Sequence, residues 1–198
     1  MAKIGQIGLS GLHLAKRKEL TNEVDTETTI SVAGMVSAEV EIETISENIY
    51  ADDVVAEVIA TGFSSGTVTM ELLGLSMQEY AMISGQEIVD GVVADNANVL
   101  SPILAMTFKS QKSNGTYRYV SLPQVKANIK GESFATKEDG VEIANVEIEF
   151  SIIPMAETGI WRVRADEDTC KNTEFLNTFL TTFPENVPSP LEMLKDKK

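Results

Sequence analysis

FKSQKSNGTYRYVSL, residues 108–122, is the stretch on which the reading of the fold turns. Two short runs of strand-favouring residues flank Ser113-Asn114-Gly115, which has the composition of a turn, so the segment reads as a β-hairpin. Three cations, Lys109, Lys112 and Arg118, surround that turn in a chain whose formal net charge is −14. The hairpin therefore raises two questions, what sheet it belongs to and what its positive charge meets.

Working outward, the same period of two recurs on both sides. In SAEVEIETI, residues 37–45, Glu39, Glu41 and Glu43 alternate with Val40 and Ile42. GTVTMELLG, residues 66–74, sets Val68, Met70 and Leu72 against Thr67, Thr69 and Glu71. EIANVEIEFSII, residues 142–153, puts Val146, Ile148 and Phe150 on one face and Glu147, Glu149 and Ser151 on the other. Alternation of this kind marks strands with one buried and one wet face. NVLSPILAMTF and QVKANIKGESF add further runs, and no strand-helix-strand rhythm is visible. The expected class is mainly β: an antiparallel β-sandwich or open barrel over residues 28–168 with one flanking α-helix.

That helix begins at Ser76-Met77-Gln78-Glu79, a capping box in which the Ser hydroxyl and the Glu carboxylate each serve the other's amide. Met77, Tyr80, Ala81 and Ser84 share its expected inner face, and Gly85 suits the position past its last turn. A second helix is predicted over about 172–182, where Phe175, Phe179 and Phe183 recur every fourth residue beside Leu176 and Leu180. It belongs to a C-terminal helix and tail, residues 169–198. Residues 1–27, with glycines at 5, 8 and 11 and the cluster Lys16-Arg17-Lys18, read as an irregular N-terminal arm ordered by docking.

Charge is segregated along the chain. No Lys or Arg occurs from Glu19 to Phe108, whereas Lys109 to Lys137 holds six cations against Glu132 alone. Glu138 to Asp168 is acidic again apart from Arg162 and Arg164. Such blocks imply surfaces of opposite sign on one molecule, or else simply solvated faces.

Catalytic chemistry finds few residues to use. The single histidine, His13, lies in the glycine-rich arm, and the single cysteine, Cys170, sits among acids that raise a thiol pKa. One cysteine also forbids an intrachain disulfide. GQIGLSG lacks the spacing of a phosphate-binding loop. Asp52-Asp53 and Asp166-Glu167-Asp168 are acidic enough to hold a divalent cation weakly, but neither matches a calcium loop. The expectation is no enzyme, no cofactor and no metal. No apolar run approaches the ~20 residues of a membrane span, so no membrane partner is expected.

Several blocks taken together resemble a known family. YADDVVAE (50–57), GTVTMELLGLSMQEYAMISGQEI (66–88), FKSQKSNGTYRYVSLPQVK (108–126), EIANVEIEFSIIP (142–154), GIWRV (159–163) and a closing DED (166–168) are similar to the major tail tube proteins of long-tailed bacteriophages of Gram-positive bacteria. The likeness covers roughly residues 35–168. It implies a β-sandwich or barrel with a flanking helix, whose copies close into rings, usually of six, that stack into a hollow tube for the genome. The implied partners are the chain itself and the tape-measure, tail-terminator and distal tail proteins, with genomic DNA passing through unbound. The implied location is the virion tail, assembled in the host bacterial cytoplasm. A ring of this kind needs one interface that closes and stacking needs one that does not.

On that reading Lys109, Lys112 and Arg118 are expected to face acids of an adjacent subunit, for instance Asp52, Asp53 or Glu57. Glu39, Glu41 and Glu43, or Glu147 and Glu149, are expected to line the bore and keep DNA from adhering. Other classes remain open at this point: a tail-terminator or decoration protein of similar fold, or a bacterial β-sandwich that binds a ligand.

Overall fold

A computed structural model of the chain describes residues 4–18, 21–51, 54–128 and 145–186, with the backbone alone over 45–61. The molecule is mainly β, and its strands pair antiparallel, with two flanking helices. In chain order they are β1 (Gln6–Lys16), β2 (Ile30–Val32), β3 (Met35–Ala51), β4 (Val54–Leu72), α1 (Met77–Ser84), β5 (Ile88–Val89), β6 (Val92–Val93), β7 (Ile103–Lys112), β8 (Tyr117–Asn128), β9 (Val146–Ile152), β10 (Val163–Asp166) and α2 (Thr173–Thr182). The main sheet runs β2-β1-β7-β8-β9-β4-β3, with β10 paired to β8 beside β9; β5 and β6 form a separate two-stranded ribbon.

The hairpin at 108–122 is the centre of this sheet. β7 and β8 pair from Ile103↔Lys126 to Gln111↔Tyr117, and Gly115 closes the turn at φ 87°, a left-handed backbone that favours glycine. Asn114 Oδ1 accepts from the Thr116 amide at 3.2 Å and hydroxyl at 2.8 Å, which ties the turn to its own strand.

Strand alternation places the core as the pattern requires. Val40, Val68, Phe150 and Ala127 form one row across β3, β4, β9 and β8, and Ala38, Met70 and Ile148 form the next. Val68 and Met70 are fully buried, and Phe150 nearly so. Burying a side chain of this size contributes about 1.5–3 kcal/mol. The sheet curls over these rows until β1 and β3, at nearly opposite ends of the strand order, approach one another.

One half of the sheet is buried on both faces. Leu104, Met106 and Phe108 of β7 point into the core, while Ala105 and Thr107 between them lie beneath α2. Asn172 caps α2 by accepting the Phe175 amide at 2.9 Å, and Phe179 packs edge-on to Phe175 and tilted against Tyr119. The helix ends where Thr107 Oγ1 donates to Leu180 O at 2.7 Å. Phe183 then takes a left-handed φ of 50° and buries against Ala15 and Ala105. The aromatic stripe expected over 172–182 is thus the lid of the sheet's outer face.

Two expectations change. Within the expected irregular arm, residues 1–27, Gln6–Lys16 is instead an inner strand lying between β2 and β7. Leu12, Leu14 and Ala15 are buried, and the register shifts between Ser10 and His13 where Gly11 stands at φ 70°. This bulge, and burial on both faces, erase the period of two over that stretch. In α1 the capping box and the left-handed Gly85 are present as read, but Met77 is half exposed and the buried residues are Ala81 to Ser84. The helix docks by its last turn, where Met82 and Ile83 join the core, rather than along its length. Among the described residues, no helix is long and apolar enough to cross a membrane.

Because β1 is structural, Leu14→Ala is expected to cost the isolated monomer about 2–5 kcal/mol, measured by chemical denaturation. An arm that only docks on a neighbour would leave monomer stability unchanged.

Candidate functional site

The three cations of the central hairpin end up in three different environments. Lys112 is the last residue of β7 and is only 5% exposed. Its Nζ lies 2.9 Å from Asp166 Oδ2 and 2.8 Å from Asp168 Oδ1. Arg118 stands opposite Asp166 in the β8–β10 register and grips it with two bonds, Nε to Oδ1 at 2.6 Å and Nη2 to Oδ2 at 2.7 Å. Between the two aspartates, Glu167 accepts the Tyr117 amide at 2.7 Å, and its own amide donates to Tyr117 O at 2.9 Å. All three acids of the closing DED are therefore held by the β7–β8 hairpin. Lys109, half-buried like Arg118, has no carboxylate partner among the described residues and sets its ammonium 4.5 Å from the Tyr117 ring centroid, a cation–π contact of about 0.5–1 kcal/mol.

Within the chain Lys112 and Arg118 are thus both paired with carboxylates: the lysine is buried against two, and the arginine holds one in a bidentate pair. Asp52 and Asp53, their expected partners, lie outside the described residues, and Glu57 is described as backbone only.

Electrostatics follow from the geometry. Hydrogen bonds from Arg118 first, then from Lys112, hold the Asp166 carboxyl down to about 2 despite the opposing effect of burial. Burial alone would push the Lys112 ammonium down, but its bonds to Asp168 and Asp166 outweigh that and leave it above its ordinary value. Lys112 likewise lowers Asp168. A second buried cation does similar work at the other end of β1. Arg17 Nη1 donates to Pro123 O at 2.9 Å and to Glu185, while Nε donates to Asn22 at 3.0 Å. It clamps β1 to β8 and to the segment after α2.

The expected bore-lining acids do come together. Register places Glu39, Thr69, Glu149 and Asn128 in one row across β3, β4, β9 and β8. Ser37, Glu71 and Glu147 form the row on one side, and Glu41, Thr67, Ser151 and Lys126 the row on the other. Glu43 follows opposite Ser65, whose hydroxyl donates to it at 2.7 Å. Glu39, Glu41 and Glu43 are exposed, and Asn128 Nδ2 donates to Glu149 at 3.3 Å. Six carboxylates thus share the outer face of β3-β4-β9, the half that α2 leaves uncovered. Sequence reading gave the two acidic groups as alternatives and missed Glu71, although its place in the GTVTMELLG alternation was visible.

The remaining candidates stand apart from this face. His13 donates from Nδ1 to Gly11 O at 3.0 Å, and Cys170 is half-buried with Sγ 3.7 Å from Asn172 O. Among the described residues no three His, Cys, Asp or Glu side chains gather as a metal-holding group. No protein-family model matches the chain, and no curated protein matches it.

Asp166 makes acid stability testable. Its folded pKa, about 2, lies below the unfolded 3.8, so it contributes stability above pH 4 that disappears as pH falls from about 4 to about 2. The difference corresponds to about 2 kcal/mol. Asp166→Asn is expected to lose about 3 kcal/mol at pH 7, because it strands Lys112 and Arg118, and to flatten the stability profile between pH 4 and 2. Urea titrations across that range read both effects.

Proposed function

We propose that this chain is a structural subunit of a bacteriophage tail tube, self-assembling into stacked rings, usually of six copies, that form the channel for DNA ejection. The observation that carries the reading is the acidic outer face of β3-β4-β9. It is supported by the resemblance of the blocks between residues 35 and 168 to that family.

The physical case is one of contrast between two faces. α2 seals the outer surface of β1-β7-β8, while the outer face of β3-β4-β9 carries Glu39, Glu41, Glu43 and Glu147 exposed and Glu71 and Glu149 half-buried, with Lys126 at their margin. Repeated around a ring and facing inward, that surface repels phosphates within a Debye length of ~8 Å at physiological salt. DNA then slides past without being held, since binding it would need clustered cations. β3 and β2, at the ends of the sheet, offer strand edges through which neighbours can pair. The tape-measure, tail-terminator and distal tail proteins are the further partners this role entails, and the virion tail is its location.

Electron microscopy of the concentrated protein is expected to show hollow tubes. Replacing Glu39, Glu41, Glu43, Glu147 and Glu149 by Gln is expected to leave tubes that retain DNA after washing, where wild-type tubes do not. A chain that stays monomeric at every concentration overturns the tube. Neutralised tubes that retain no more DNA than wild type overturn the inward placement of this face.

A further inference from the structure

Where β1 and β3 approach, they do not meet. Between them opens a cleft of about 450 Å³ whose two sides are Gln6–Leu9 of β1 and Val36–Ala38 with Val40 of β3. Both sides are strand edges. β2 pairs β1 only at Leu12–Leu14, and β3 pairs only β4, so along the cleft each edge lacks a strand neighbour among the described residues. The apolar floor is Leu9, Val40, Phe108 and Val120. Its rim carries Arg118, Arg162 and Arg164.

Three guanidiniums on one cleft need explaining in a chain of net charge −14. Arg118 is paired with Asp166. Arg162 stacks on Trp161, 4.3 Å from the ring centroid, with Phe63 stacked on the same ring at 4.7 Å. Among the described residues no carboxylate pairs with Arg162 or Arg164. Burial, and then the like charges of Arg164 and Arg118, push the Arg162 guanidinium below its ordinary value. A negative group entering the cleft relieves all of these.

The shape fits an extended chain. An unpaired edge can hydrogen-bond an added strand, apolar side chains of that strand meet the floor, and its acids meet Arg162 and Arg164. The chain's own ends are mismatched in charge: residues 187–198 hold three lysines against two acids, and the first three residues end in Lys3. The β3–β4 ribbon of another copy is matched. No Lys or Arg occurs anywhere in residues 35–72, which hold eight Asp and Glu. Among the described residues β9 pairs β4 over Thr67–Leu72, opposite β3 residues up to Glu41. β3 continues from there to Ala51, a further contour of about 30 Å.

We propose that the cleft between β1 and β3 is a docking site for the acidic β3–β4 ribbon of a second copy of this chain, with Arg162 and Arg164 as its charge anchors. The inference rests on the self-assembly reading but requires only that two copies meet. It assigns the interface charge to Arg162 and Arg164, because Lys112 and Arg118 already pair with Asp166.

A charge swap in the full-length chain tests it. Arg162→Glu with Arg164→Glu, and separately Asp52→Lys with Asp53→Lys, are each expected to lower self-association at least tenfold by sedimentation. All four together are expected to restore it. Circular dichroism melts check that each variant folds; if the glutamate pair does not, Arg162→Gln with Arg164→Gln is expected to show the same loss. Self-association unchanged by either pair, or not restored by the combination, overturns the cleft while wild-type tubes leave the tube reading standing. Small oligomers that obey the swap without forming tubes keep the cleft and overturn the tube. A wild-type chain that never self-associates overturns both.

Discussion

The structure depends on how β8 divides its second edge. One edge of this strand belongs to β7 along most of its length. The other is shared: Arg118 to Ser121 pair with β10, and Val125 to Asn128 pair with β9. Between them Gln124 O accepts the Ile153 amide at 2.9 Å, so the chain leaving β9 is still bound to β8. One strand thereby brings together the β3-β4-β9 half of the sheet and the segment leading to α2. Backbone bonding specifies this division, and the Lys112–Asp166–Arg118–Asp168 network fixes its open end.

That network also accounts for the hairpin's positive charge. Two cations and two carboxylates cancel, while the exposed Glu167 accepts a backbone amide and keeps its negative charge. Placing Lys112 at 5% exposure costs desolvation, which two short carboxylate contacts offset. The net gain in stability is modest, yet the geometry is specific: only one register of β10 against β8 puts Asp166 opposite Arg118 and within reach of Lys112. Arg17 serves the same purpose for β1. Buried cations act here as register pins, whereas Arg162 and Arg164 have no carboxylate partner among the described residues.

The two outer faces of the sheet then differ in kind. Over β1, β7 and β8, α2 supplies Phe179, and Phe183 follows it, turning that surface into a second, thin core. Over β3, β4 and β9 there is no such lid among the described residues, and Glu39, Glu41, Glu43 and Glu147 are exposed. A chain built this way has one face sealed by α2, one acidic face, and a cleft at the seam where the sheet fails to close.

Much of the fold was written in local patterns. Period-two alternation located β3, β4 and β9, the Ser-Asn-Gly turn located β7 and β8, and the capping box and Phe stripe located both helices. Each is a short-range signal carried by neighbouring residues. β1 was hidden because Gly11 shifts its register and burial on both faces removes alternation, although Leu12 and Leu14 kept two steps of it. Partners separated along the chain were beyond reach: Arg118 and Asp166 stand 48 residues apart, and nothing local says that one cation will be buried and another left free. The sequence by itself determined which residues alternate, cap and turn, because those depend on backbone geometry within a few residues. Only the tertiary structure decided which charges cancel and which acids share a face, because strand pairing joins distant segments and water is excluded from some of their contacts.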